Sequence, residues 1–167
     1  MFDNVKIRIA NSNDAKSIST LINGVAHYFT LHPKGVGAEA FLATVSESAI
    51  RSYICASNFH YLAGFADGNL AGVVAIRDNK HLYHLFVSPP YQGRGFARAL
   101  WNAAMTLAMR QGNPGEFTVN STLYAVKVYA AFGFEPAGQK VETKGIAFVP
   151  MSYRRGALLS ELNDKEL

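Results

Sequence analysis

Val5 to Ile9 alternates as V-K-I-R-I, the period-two pattern of a half-buried strand. Asn11 to Asp14 then offers helix N-cap side chains ahead of Ile18, Leu21, Ile22 and Val25, whose spacing marks the apolar face of a helix. Between His27 and Gly37 the pattern dissolves into aromatic residues, His, Pro and Gly, a loop suited to line a pocket. A second helical stretch, or a pair, follows from Ala38 to Ala56. Phe59 to Ala66, Leu70 to Arg77 and His81 to Val87 read as three strands joined by the turn sequences Asp67-Gly68-Asn69 and Arg77-Asp78-Asn79-Lys80, which makes an antiparallel meander.

After Pro89-Pro90 and a glycine-bearing loop, Phe96, Leu100, Ala103, Ala104, Leu107 and Ala108 recur at helical spacing as far as Gly112. Glu116 to Asn120 reads as a short strand, Leu123 to Phe132 as a helix closed by Gly133, and Phe134 to Gly138 and Gly145 to Tyr153 as the last strands. A polar tail follows from Arg154. The order predicts one α/β domain over residues 1–153 with a mixed sheet, and a tail over 154–167.

Composition narrows this. At 167 residues, 49% apolar and 17% charged, the chain has the size and content of one compact domain, which excludes disorder, collagen-like repeats and coiled coil. A formal charge of +4 attracts anions. The basic residues are scattered, clustering only at Arg94 to Arg98 and Arg154 to Arg155, so no nucleic-acid partner is expected. The lone Cys55 excludes an intramolecular disulfide and a cysteine-rich zinc site and points to a reducing compartment, the cytoplasm. In a helix it reads as a packing residue rather than a nucleophile. The five His are too dispersed to hold a metal. The longest stretch free of charge, Ser17 to Pro33, is too polar to span a membrane, and the N-terminus alternates instead of forming a signal-peptide block.

The most specific segment is Leu85-Phe86-Val87, a break, and Gln92-Gly93-Arg94-Gly95-Phe96-Ala97 opening a helix. Such a turn aims backbone N–H groups and the positive end of the helix at one anion, with Gly93 and Gly95 permitting close approach; pyrophosphate is the natural ligand type. It is neither a Walker loop nor a dinucleotide fingerprint, since Arg98 stands where the third Gly belongs.

Gln92-x-x-Gly95-x-Ala97 resembles the [QR]-x-x-G-x-[GA] acetyl-CoA signature of the GNAT superfamily of N-acetyltransferases. Val119-Asn120-Ser121, Ala125-Val126, Val128-Tyr129, Gly133-Phe134 and Gly145 to Met151 are similar to that family's later strands and helix, in the same order. The resemblance implies a GNAT-like, mostly antiparallel sheet of about seven strands flanked by about four helices. It implies an enzyme that moves an acetyl group from acetyl-CoA to a small-molecule or peptide amine by direct attack in a ternary complex, and it leaves a homodimer open. Leu85, Phe86 and Val87 would pair with the pantetheine arm, the Val87 N–H would polarise the acetyl carbonyl, and the Gln92 to Ala97 turn would hold the pyrophosphate. Asn120 and Ala125 would complete the cofactor contacts; many relatives have Asn where this chain has Thr122.

The resemblance also implies that Tyr129 is the general acid for the departing thiolate and His81 the base for the amine. Tyr83 shares the His81 face if no bulge intervenes, with His84 opposite. The acceptor side would be formed by the loops His27 to Gly37 and Val141 to Gly145, which carry no acidic cluster of the kind a polyamine needs. The rival expectation is a non-catalytic module of the same fold that binds acetyl-CoA or another protein.

Overall fold

The computed structural model describes residues 4–156. An antiparallel meander forms one half of the sheet: β1 (Val5–Ile9), β2 (Phe59–Ala66), β3 (Asn69–Arg77) and β4 (His81–Val87). Its two hairpins turn at Asp67-Gly68, φ 49 and 81, and at Asp78-Asn79, φ 53 and 54. Two successive positive φ values give the turn the twist of its strands, and Asp, Asn and Gly tolerate that conformation best.

β4 then runs parallel to β5 (Glu116–Thr122), but only through the pairs His81↔Thr118 and Leu82↔Val119. β5 pairs along its whole length with antiparallel β8 (Ile146–Arg154), which also carries β6 (Glu135–Pro136) and β7 (Val141–Thr143). The eight-stranded sheet is mostly antiparallel, as expected. Residues 141–143, expected in a loop, form β7 against β8, and the helix expected from Leu123 begins with a 3-10 turn. Strand β8 continues to Arg154; the rest of the expected tail, 157–167, lies outside the described residues.

Helices α1 (Ala15–Gly24), α2 (Glu39–Ala43) and α3 (Glu47–Cys55) cover one face, and α4 (Phe96–Arg110) and α5 (Val126–Phe132) the other. A capping box leads into α1: the Asn13 N–H donates to Asn11 Oδ1 at 3.0 Å, and the Asn11 N–H donates to Asp14 Oδ2 at 2.8 Å. Ile18 and Ile22 of α1 and Ile50 of α3 bury against Tyr61, Val73 and Ala75, while Leu100 and Trp101 of α4 bury against Val74, Phe117 and Met151. Strand alternation thus divides the sheet between two cores, each removing large apolar side chains from water at roughly 1.5–3 kcal/mol apiece. Cys55, expected to pack, is exposed instead, because it ends α3 where the apolar face has run out.

Candidate active site

Parallel strands that stop pairing leave a gap, and β4 and β5 stop after Leu82 and Val119. The geometry of β4 decides what faces that gap. Gly72↔Val87 is a partner pair, yet it is Ser88 that donates to Ala71 O, at 2.8 Å. Val87 therefore occupies a non-hydrogen-bonded position relative to β3, and by alternation so does Leu85, paired with Val74. Their N–H and C=O groups point away from β3, into the space that β5 has left. The Val87 carbonyl already has a partner there, the Gln92 side-chain amide, which donates to it at 2.9 Å and ties the glycine turn to the strand.

That turn leads into α4. Gly93 and Gly95 have φ 73 and 80, a left-handed backbone in which other residues are strained. A Cβ built on either meets no atom within 4 Å, so this side of the loop is bare. Gly95 is the N-cap and supplies no side-chain cap, while the first-turn N–H groups of a helix lie beyond the reach of its own carbonyls. The result is a row of backbone donors at the positive end of a 15-residue helix, a cradle that fits a diphosphate.

The gap and the turn enclose a cleft of about 390 Å³. Leu85, Phe86 and Val87 line it from β4, and Gln92, Gly93, Gly95, Phe96 and Ala97 from the turn. Asn120, Ala125 and Tyr129 line it from the β5 side, so of the residues assigned to the cofactor only Arg94 stands outside the lining. Tyr129 is buried, its ring T-shaped against Phe132 and Phe134, and burial pushes its phenol pKa well above the ordinary value. It is therefore a neutral O–H donor at physiological pH. Thr122 caps the turn before α5 by accepting the Ala125 N–H at 3.2 Å.

Behind the gap, on the α1–α3 face, lies a second cavity of about 260 Å³. The two cavities share Leu82, Tyr83, Phe86, Asn120 and Thr122, so they meet through the parted strands. His81 lines the second one, at the end where β4 and β5 still pair, with Nδ1 2.7 Å from Thr118 Oγ1. Burial lowers its pKa, and the Arg77 guanidinium lowers it further against a smaller opposing effect of Asp78. The imidazole is thus neutral and able to accept a proton.

A β-bulge intervenes in β4. Ala75 pairs with His84 but Ile76 with Leu82, which leaves Tyr83 as the extra residue. Alternation breaks there, so His84 is not opposite Tyr83: their rings stack at 4.4 Å, and both line the second cavity with His81. His84 is buried with Nδ1 2.9 Å from the Tyr61 hydroxyl, and burial holds its pKa down at about 3. So weak a base leaves His81 as the better proton acceptor near neutral pH.

The two loops expected at the acceptor side do meet. Leu31 N–H donates to Gly145 O at 2.8 Å, Thr30 bridges to Ile146, and a Cβ on Gly145 would lie 2.5 Å from the Gly37 carbonyl carbon. Tyr28 from the first loop and Tyr124 from the turn after β5 stack at 4.7 Å and line the cleft, a pairing that periodicity could not reveal. The aromatic content of the loop was its only signal. Among the described residues no helix is long and apolar enough to cross a membrane.

The family profile of the acetyltransferase (GNAT) domain matches residues 29–155. Over 84 residues the chain is 33% identical to N-acetyltransferase 8B of Rattus norvegicus, covering 46% of this chain and 38% of that protein, so the match spans well under half of that relative. Two solved structures share the fold. One is a PaiA N-acetyltransferase from Thermoplasma acidophilum in complex with coenzyme A, with TM-score 0.73 and 17% identity over 90% of this chain and 99% of that one. The other is a GCN5-related N-acetyltransferase from Rhodopseudomonas palustris, with TM-score 0.72 and 20% identity over 92% of this chain and 98% of that one. The parted strands and the glycine turn ahead of α4 fall inside the matched segment, and the chain belongs to the GNAT acetyltransferase family.

Proposed function

We propose that the protein transfers an acetyl group from acetyl-CoA to an amine by direct attack within a ternary complex. The observation that carries this reading is the gap between β4 and β5, where the backbone donors of Leu85 and Val87 and the Tyr129 side chain converge on one cleft. Acetyl-CoA, when bound, supplies an activated thioester. The Gln92 to Ala97 turn holds its diphosphate by backbone N–H groups. Leu85 and Val87 offer the pantetheine amides an open strand edge, and the Val87 N–H donates to the acetyl oxygen as negative charge builds there. Asn120 and Ala125 bound the arm from the opposite wall.

The amine nitrogen bonds to the acetyl carbon as the carbon–sulfur bond breaks. His81 accepts the proton the amine sheds, and Tyr129 donates a proton to the departing sulfur. The exposed Cys55 lines neither cavity and takes no part.

Two outcomes test the assignment. Acetyl-CoA at a hundredfold excess over its Kd stabilises the folded state by about 2.7 kcal/mol, a rise in Tm of roughly 5–10 °C for a chain of this size. Gly95→Asp places a carboxylate in the phosphate cradle and should abolish that rise; an equal rise in the variant would remove the turn from the cofactor site. His81→Ala should lower the rate most near neutral pH and recover partly at high pH, where free amine is abundant. Because His81 is held below its ordinary pKa, the wild-type rate should not fall on that group's account until the pH drops below about 6.5. An unchanged pH profile in the variant would move the base elsewhere.

A further inference from the structure

Resting on the acetyltransferase reading, we infer that the second cavity selects a primary monoamine carried on an aromatic group, with no second positive charge. The walls argue for an aromatic substituent. Phe29, Phe41, Phe86 and Phe148 bring four rings from four separate segments of the chain, and Tyr83 adds a fifth at the junction with the cofactor cleft. Phe29 already meets Phe41 edge-on at 5.1 Å and Phe86 at 5.5 Å, so an entering ring finds both edges and faces for the offset and T-shaped contacts that aromatic pairs prefer. The volume, about 260 Å³, lies below the roughly 300–1,000 Å³ of pockets that take drug-sized ligands, which suits one ring system with a short amine arm.

The charges argue against a polyamine. Among the described residues no Asp or Glu lines this cavity, and its one permanently charged lining residue is Arg77. Asp78, the nearest carboxylate to that cation, sits 3.5 Å from the Arg77 Nε in the exposed β3–β4 turn and also accepts from Asn58, outside the lining. A second ammonium would enter beside a like charge, with no carboxylate in the described lining to pair with it. Cation–π attraction does not replace a counter-ion, because it neutralises no charge. One of the rings that could supply it, Tyr83, already carries the Arg77 guanidinium 5.1 Å from its centroid. A monoamine avoids the problem by entering neutral, the form in which its nitrogen attacks. Its ring then occupies the end lined by Phe29, Phe41 and Phe148 while the nitrogen reaches the shared wall at Tyr83 and Phe86, beside the cleft proposed for the cofactor.

The test is thiol release from acetyl-CoA by the purified chain, with tryptamine and phenylalanine compared against spermidine and a lysine-containing peptide. Tryptamine or phenylalanine should exceed spermidine by about tenfold or more in kcat/KM. Phe41→Ala and, separately, Phe148→Ala should raise the KM for the aromatic amine by about tenfold while the KM for acetyl-CoA stays within about twofold, and Phe41→Leu should restore part of the loss. Saturation-transfer NMR of tryptamine on the CoA-loaded protein supplies a readout independent of turnover. Preference for spermidine or the lysine peptide would overturn the inference and leave the acetyltransferase reading standing. A tryptamine saturation-transfer signal that disappears in Phe41→Ala, without turnover of any amine, would support the pocket and overturn the transferase reading. The absence of both signal and turnover would overturn the inference outright.

Discussion

Tyr129→Phe should lower kcat by about a hundredfold or more while the affinity for acetyl-CoA changes little, because the substitution deletes one oxygen and keeps the ring that packs on Phe132 and Phe134. The size follows from the chemistry of the leaving group. A thiolate is a better leaving group when a proton is delivered to the sulfur as the carbon–sulfur bond breaks. The phenol is protonated across the physiological range; burial raises its pKa further, which keeps the proton in place but weakens it as an acid, so the donation has to be driven by the charge that builds on the sulfur. The structural alternative, a tyrosine retained only for packing, predicts the opposite pattern: unchanged turnover and a small change in stability. Steady-state kinetics beside a thermal melt separate the two, and normal turnover in Tyr129→Phe would remove it from the mechanism.

Much of this architecture is legible in the sequence, for identifiable reasons. Asp67-Gly68 and Asp78-Asn79 mark hairpins because few residue pairs adopt two positive φ values in succession, so the meander could be placed from its turns. The glycine turn at the first cleft is legible because Gly93 and Gly95 are required by backbone conformation, and because a strand, a break and a helix follow one another without interruption. The second cavity is not. Its wall is assembled from α2, β4, β8 and the loop after α1, and no local pattern reports which aromatic residues distant in sequence come together.

The bulge is illegible for a different reason. In His81-Leu82-Tyr83-His84-Leu85-Phe86 both phases of the alternation are apolar or aromatic, so inserting one residue leaves no mismatch in the pattern. Its effect in space is nevertheless large. It turns Tyr83 and His84 to the same cavity and buries an imidazole that simple alternation would have placed on the other face.

That burial makes stability depend on pH. The folded state holds the His84 pKa at about 3, against an unfolded value near 6.5, so the folded protein binds fewer protons than the unfolded chain at any pH between these values. The contribution of neutral His84 is complete above about pH 6.5 and is lost as the pH falls toward 3, by roughly 2–3 kcal/mol between pH 7 and pH 4.5. Against a total stability of about 5–15 kcal/mol this is enough to lower a urea midpoint substantially. His84→Gln keeps a side chain that can hydrogen-bond the Tyr61 hydroxyl but cannot titrate, so its stability should fall less than that of the wild type over the same range, by that same margin. Urea unfolding at pH 7 and pH 4.5 measures the difference, and an NMR titration of the wild-type His84 ring gives an answer even if the variant fails to fold. A ring that protonates near pH 6.5 in the folded protein, or equal acid sensitivity in the two proteins, would show that the bulge does not seal His84 from water.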